Sequence, residues 1–96
     1  MQDKIDTIMD NFDFNRVENA MRATNWTWCS ASEPDGIPTQ SEIRESARRL
    51  LKEVSQKTVS KNSFRYYIST GGFRATKYYD GELELEFIMS SWETAV

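Results

Sequence analysis

Between Ser63 and Met89 the chain reads SFRYYISTGGFRATKYYDGELELEFIM, alternating apolar and polar residues around two glycine-containing breaks. Alternation with period two predicts strands, and the breaks predict turns, so this stretch is expected to form a three-stranded antiparallel meander. Gly71-Gly72 suits a two-residue hairpin with positive φ at both central positions. That register sets Thr70 opposite Phe73, Ile68 opposite Ala75 and Tyr66 opposite Lys77. The second turn has two readings. A two-residue Asp80-Gly81 loop pairs Tyr78 with Leu83 and Arg74 with Phe87. A three-residue Tyr79-Asp80-Gly81 loop, with Gly81 left-handed in a bulge, pairs Ala75 with Leu85, Phe73 with Phe87 and Arg74 with Glu86.

A slip of one residue reverses every side chain, so the hydrophobic pattern selects between the two readings. The three-residue loop collects Phe64, Tyr66, Ile68, Phe73, Ala75, Leu83, Leu85, Phe87 and Met89 on an inner face. Arg65, Tyr67, Ser69, Arg74, Thr76, Tyr78, Glu82, Glu84 and Glu86 then form the outer face. Lys77 falls on the inner face and is expected to snorkel along the sheet edge. A cross-strand Arg74–Glu86 pair should contribute only ~0.2–1 kcal/mol.

Ahead of the sheet the period changes to that of helices. Ile5, Ile8, Met9 and Phe12 mark a short amphipathic helix over Gln2 to Met9, too short to persist without docking. Asp13 reads as the N-cap of a second helix, Phe14 to Ala23, with Phe14, Val17, Ala20 and Met21 as its apolar stripe. The two helices either merge or kink at Asn11–Asp13. Trp26-Thr27-Trp28-Cys29 is either a brief extended segment on the sheet edge or an ordered loop, its tryptophans assigned to core packing. Ser30 to Ile37 is loop by composition. Thr39 with Glu42 three residues later is a capping box. It opens a long helix with Ile43, Ala47, Leu50, Leu51 and Val54 on one face, and Arg44, Arg48 and Lys52 along a solvated flank. Trp92 is expected to fold back onto the sheet rim. Helices followed by strands give an α+β class, with N-terminal helices packed on one face of the three-stranded meander, in a single domain spanning residues 1–96.

Composition narrows the chemistry. The 96 residues include twelve aromatics, no histidine and a single cysteine, with a net charge of −3. No histidine removes the commonest general base and metal ligand, and one cysteine cannot build a zinc site or an internal disulfide. The lone Cys29, the absence of a signal or transit pattern at the N-terminus and the lack of a long apolar run favour a cytoplasmic protein without a membrane span. The acidic balance argues against a nucleic-acid binder. No phosphate loop, dinucleotide fingerprint or calcium loop occurs. Glu82, Glu84 and Glu86 are spaced as an inverting carboxylate pair would be, about 6.5–7 Å apart, but on an open face with nothing to raise a pKa. The chain is therefore read as non-catalytic, with no cofactor and no metal.

The surface left uncommitted is the outer sheet face with the first turn. Arg65, Tyr67, Ser69, Thr70, Arg74, Tyr78, Glu84 and Glu86 are the candidate partner-binding residues, since tyrosine and arginine are enriched in binding hot spots. The hydroxyls and bare amides of Ser69–Gly72 are a second candidate, suited to an anion or a peptide.

Phe12-Asp13-Phe14 with Val17 and Met21, Trp26-x-Trp28, Pro38-Thr39 leading into Ile43, Ala47 and Leu50, Ser69-Thr70-Gly71-Gly72-Phe73-x-Ala75 and Leu83-x-Leu85-x-Phe87 together cover most of the chain. In these segments the sequence resembles a group of small uncharacterised proteins encoded by tailed bacteriophages. The resemblance carries over no catalytic residue. It implies a phage accessory protein that binds and blocks a host protein in the host cytoplasm, including counter-defence of the anti-CRISPR kind. Two alternatives stand beside it. One is a small-ligand binder such as a nucleotide-signal sponge, oligomeric so that pockets form between subunits. The other is an acidic nucleic-acid mimic built on Asp80, Glu82, Glu84 and Glu86.

Overall fold

The computed structural model describes residues 3–29 and 31–88. In chain order these form α1 (Lys4–Asn11), α2 (Phe14–Ala23), α3 (Gln40–Ser55), β1 (Arg65–Thr70), β2 (Phe73–Tyr78) and β3 (Leu83–Phe87). The strands make one sheet of order β1-β2-β3 with both pairings antiparallel. The helices pack on one face of it, as the α+β expectation requires. Gln2, Met89 and Trp92, to which the sequence assigned a helix start, the end of the inner stripe and a rim contact, lie outside the described residues.

Both turns take the form the glycines predict. Gly71 and Gly72 have φ of 61° and 91°, and Gly81 has φ of 92°. The backbone N–H of Tyr78 donates to the Glu82 carbonyl and that of Gly81 to the Tyr78 carbonyl, both at 2.9 Å, closing the three-residue loop. Thr70 therefore faces Phe73, and Phe73, Arg74 and Ala75 face Phe87, Glu86 and Leu85.

The inner face of β2 is where the layers meet. Phe73 and Ala75 are fully buried, and α3 lies across this strand. Phe73 joins Phe12, Phe14 and Phe87 in a cluster of tilted rings, with centroids 5.9–6.2 Å from its own. Tilted arrangements of this kind suit the ring quadrupoles better than face-to-face stacking. Gly72 enters the same cluster, where an added Cβ would lie 3.5 Å from Met21 Cε and from Phe87 Cε1.

The register keeps Tyr66 on the helix side and Thr76 on the outer side, but three expected exposures need correction. Phe64 is 72% exposed and Tyr66 43% exposed, although both were placed on the covered face. α3 sits chiefly over β2 and leaves the edge strand β1 overhanging. Phe64 has in addition a φ of 65°, which takes it off the alternation of the strand it precedes. Thr76, assigned to the wetted outer face, is only 2% exposed. It is a short residue in the central strand between Tyr67 and Glu84, and its longer neighbours cover it. Lys77 does not run along the sheet edge. Its Nζ donates to the carbonyls of Ser55 and Lys57, each at 2.9 Å, so a cation from the sheet caps the C-terminus of α3. That position also complements the negative end of the helix dipole.

The helix ends follow from local chemistry. Asp13 accepts from the Arg16 N–H at 3.1 Å and starts α2. The chain is extended at Phe12 (φ −86°, ψ 137°), so α1 and α2 are separate helices. α2 ends with Asn25 left-handed at φ 53°. Asn25 N–H donates to Arg22 at 3.3 Å and Trp26 N–H to Met21 at 2.9 Å, the paired bonds of a Schellman motif. This closure, together with Trp28 N–H bonded to the Gly36 carbonyl at 2.7 Å, makes residues 24–29 an ordered loop and not an edge strand.

At the start of α3 the capping box is complete. Thr39 Oγ1 accepts from Glu42 N–H at 3.2 Å, and Glu42 Oε1 accepts from Thr39 N–H at 2.9 Å. Glu42 Oε2 also accepts from Ser32 N–H at 2.9 Å, tying the preceding loop to the helix. The expected stripe Ile43, Ala47, Leu50, Leu51 and Val54 is buried. The basic flank is solvated as expected, and two of its members also make contacts. Arg44 lies over the Phe14 ring at 4.8 Å from its centroid, and Arg48 pairs with Asp6 of α1 at 2.6 Å.

Two predictions follow from the turns and caps. Gly72→Ala should lower stability by ~1–2 kcal/mol, the penalty of a side chain in the left-handed region, read as a drop in the urea midpoint. The Thr39 and Ser32 amides hold the Glu42 carboxyl below its ordinary range. A depressed folded-state pKa stabilises above the unfolded value of about 4.3 and is lost as pH falls through the folded one. Glu42→Gln should therefore flatten the acid limb of stability against pH below about 4.3.

Candidate binding surfaces

The candidate residues divide between two surfaces. Arg65, Tyr67, Ser69, Arg74, Tyr78, Glu84 and Glu86 alternate along the three strands and share the outer face. Thr70 does not join them. It follows Ser69 by one position, so the pleat turns it toward the helices, where it lines a groove with Gly71, Ser46 and Trp28.

On the outer face Arg74 makes an unexpected choice. It stands opposite Glu86 in the register, yet its guanidinium lies 5.0 Å from the centroid of the Tyr67 ring, and its Nε donates to Ser69 Oγ at 3.3 Å. A guanidinium over an aromatic face combines cation–π attraction with stacking. The expected Arg74–Glu86 pair is replaced by a contact toward β1. Tyr78 turns toward β3, its hydroxyl donating to Glu84 Oε1 at 3.1 Å. This hydrogen bond is the main reason the Tyr78 phenol ionises above its ordinary range, with desolvation and the Glu84 charge acting in the same direction.

Large aromatics are exposed around β1 and the second turn: Tyr67 at 53% and Tyr79 at 54%, beside Phe64 and Tyr66. Phe64, Tyr78, Tyr79, Asp80, Glu82 and Glu84 enclose a shallow hollow of about 460 Å³ at the end of the outer face. Phe64 reaches it because of its left-handed backbone, a conformation that disfavours side chains by ~1–2 kcal/mol. Its carbonyl accepts from Tyr79 N–H at 2.7 Å, which fixes the two aromatics side by side. Asp80 Oδ1 accepts from Glu82 N–H at 3.0 Å and shapes the turn below them.

The groove on the helix side has a different character. Trp28, Cys29, Glu42, Glu45, Ser46, Arg49, Thr70 and Gly71 line about 460 Å³ between α3, the first hairpin and the tryptophan loop. Trp28 Nε1 is buried without a hydrogen-bond partner. An unsatisfied buried donor carries a penalty of ~1–3 kcal/mol. A Cβ at Gly71 would sit 3.4 Å from Trp28 Cζ2 and 3.7 Å from Ser46 Oγ, so the bare glycine keeps this side of the groove open. Arg49 and Glu45 pair at 3.0 Å on its outer lip, and Cys29 is exposed beside it. The sequence pointed to the Ser69–Gly72 turn, but not to Trp28, Ser46 or Arg49 as its neighbours. The spacing of Ser46 and Arg49, three apart on α3, was the available sign that they share a flank.

Among the described residues no group of three or more His, Cys, Asp or Glu side chains is arranged to hold a metal ion, and no helix is long and apolar enough to cross a membrane. Comparison of the chain with protein-family models, curated proteins and solved structures finds no match.

Replacing Glu84 by Gln should bring the Tyr78 titration down toward about 10, the ordinary tyrosine value. Alkaline difference absorbance, with Tyr78→Phe identifying the signal among the four tyrosines, measures the change.

Proposed function

We propose that this chain is a small accessory protein of the tailed-phage type that acts by stoichiometric, non-catalytic binding to a host protein through the outer face of its sheet. The observation that carries this reading is the exposure of Tyr67 on the outer face and of Phe64 and Tyr79 at its end. Exposed aromatics in a patch with arginine have the composition of interface hot spots, and a monomeric surface rarely groups them without a use. The β1 edge supports the same reading. Its only charged residue is Arg65, and it has no proline to block strand addition. Inhibition of a host defence factor is the form of modulation that the phage resemblance favours.

A second reading, a small-ligand binder of the nucleotide-signal kind, is favoured by the orphaned Trp28 Nε1 beside the helix-side groove. An oligomer that closes the groove from outside would complete such a site. The acidic-mimic reading draws on Asp80, Glu82, Glu84 and Glu86, but Arg65 and Arg74 interrupt that face.

Affinity capture from host lysate tests the first reading. The captured complex should be lost with Tyr67→Ala and with Arg74→Glu while circular dichroism and the melting temperature remain those of the parent. Capture undiminished by both variants would remove the outer face from consideration. For the second reading, a nucleotide at about a hundred times its Kd should stabilise the protein by ~2.7 kcal/mol. No shift across a panel of nucleotides and cyclic dinucleotides discards it.

A further inference from the structure

The outer face sorts its charges by strand. Arg65 and Arg74 stand on β1 and β2, whereas Asp80, Glu82, Glu84 and Glu86 occupy the second turn and β3. The ion pairs among the described residues lie in the helices: Glu18 with Arg22, Asp6 with Arg48 and Glu45 with Arg49. Among the described residues the acidic row therefore has no salt-bridge partner of its own. Lys4, the nearest cation of α1, gives its Nζ to the Gly81 carbonyl at 3.2 Å, and Arg74 is held by Tyr67 and Ser69.

Where this row meets the exposed aromatics, the hollow of Phe64, Tyr78, Tyr79, Asp80, Glu82 and Glu84 has two exposed aromatic residues, Phe64 and Tyr79, and three carboxylates in its lining. Arg65 stands beside Tyr78 and Lys4 reaches the Gly81 carbonyl of the turn, two positive charges against three negative ones. The aromatic members do not serve the core. Phe64 is 72% exposed and is held in a backbone conformation that glycine would adopt without strain. Each class of occupant meets a different balance. A phosphate or carboxylate is repelled by the rim. An uncharged apolar side chain covers the rings but strips water from carboxylates without replacing it. A guanidinium or ammonium group is attracted by the ring quadrupoles and donates charge-assisted hydrogen bonds to the rim carboxylates.

We infer that this hollow receives an arginine or lysine side chain from a basic segment of the protein partner. The inference rests on the protein-binding reading and supplies the partner's chemistry. Phe64 and Tyr79 supply the faces, Glu82 and Glu84 the charge, and the Asp80 turn the floor.

The test is a titration of the ¹⁵N-labelled protein with N-acetyl-arginine methylamide, N-acetyl-lysine methylamide and the neutral N-acetyl-citrulline methylamide. The cationic probes should give saturable amide shifts at Phe64 and Tyr79–Gly81, and the citrulline probe none. The double variant Glu82→Gln, Glu84→Gln should weaken cation binding about tenfold. Phe64→Gly should weaken it similarly while leaving the urea midpoint unchanged or raised. Equal binding of the citrulline probe, saturation only at amides elsewhere, or a lowered urea midpoint for Phe64→Gly would each overturn the inference. A nucleotide or acetate saturating the same amides would overturn it too. A captured partner complex that is lost with Tyr67→Ala but survives Phe64→Gly and the double glutamine variant rejects the hollow and leaves the docking face standing.

Discussion

The structure depends on the parity of β2. This strand is enclosed by two left-handed turns, and those turns decide which of its side chains look toward the helices. With Gly71, Gly72 and Gly81 at positive φ, Phe73, Ala75 and Lys77 point inward and Arg74, Thr76 and Tyr78 point outward. The two ends of the strand then pin different parts of the helical layer. Phe73 joins the rings that α1 and α2 contribute, and Lys77 holds the last carbonyls of α3. A shift of one residue would drive an arginine and a tyrosine into the helix interface and release both anchors, so the register is specified at both ends.

The same arrangement explains why exposed aromatics collect at one edge. One long helix crosses the sheet over its central strand, and α1 flanks β3, so β1 has little above it. Edge strands are usually protected by lysines, prolines or bulges. Here the protection is partial: tyrosine hydroxyls soften the exposed rings, and Arg74 lies across one of them. A face built for stability alone would place short β-branched or charged residues at these positions. The aromatic surplus on an uncovered strand is thus a property of the sequence that the core does not account for.

How much of this was legible in the sequence follows the range of the forces involved. The capping box of Thr39 and Glu42, the cap at Asp13, the glycine turns and the register depend on residues within a few positions of one another, and they emerge from pattern alone. What escaped the pattern depends on which distant neighbour lies closest. Lys77 looked like a misfit because the end of α3 is far away in sequence. Arg74 had a carboxylate on one neighbouring strand and an aromatic ring on the other, and register alone does not choose between them. Phe64 read as one more inner-face residue because alternation assumes extended backbone, and its left-handed φ breaks that assumption. Thr70 was chosen for its hydroxyl in the Ser69–Gly72 turn, and the pleat separates it from Ser69 and turns it to the helix-side groove. The Schellman closure at Asn25 was readable in principle, since asparagine is among the few residues at ease at that position.

The charge on β3 and the aromatics beside it place different demands on the free protein. Neighbouring carboxylates on alternate strand positions, about 6.5–7 Å apart, repel by only ~0.6 kcal/mol in water. The fold tolerates the acidic row at small cost because solvent screens it. Exposed rings are the larger penalty, since each forgoes much of the ~1.5–3 kcal/mol that burial of a large apolar side chain would return. A partner that covers the rings recovers this apolar part whatever the salt, whereas its contacts with the carboxylates weaken as ions screen them. Under the proposed partner-binding reading the face would combine a salt-resistant anchor with a salt-sensitive selector. Such a selector would discriminate by charge, because an acidic partner offering the same apolar area would meet repulsion in a setting from which the screening water has been removed.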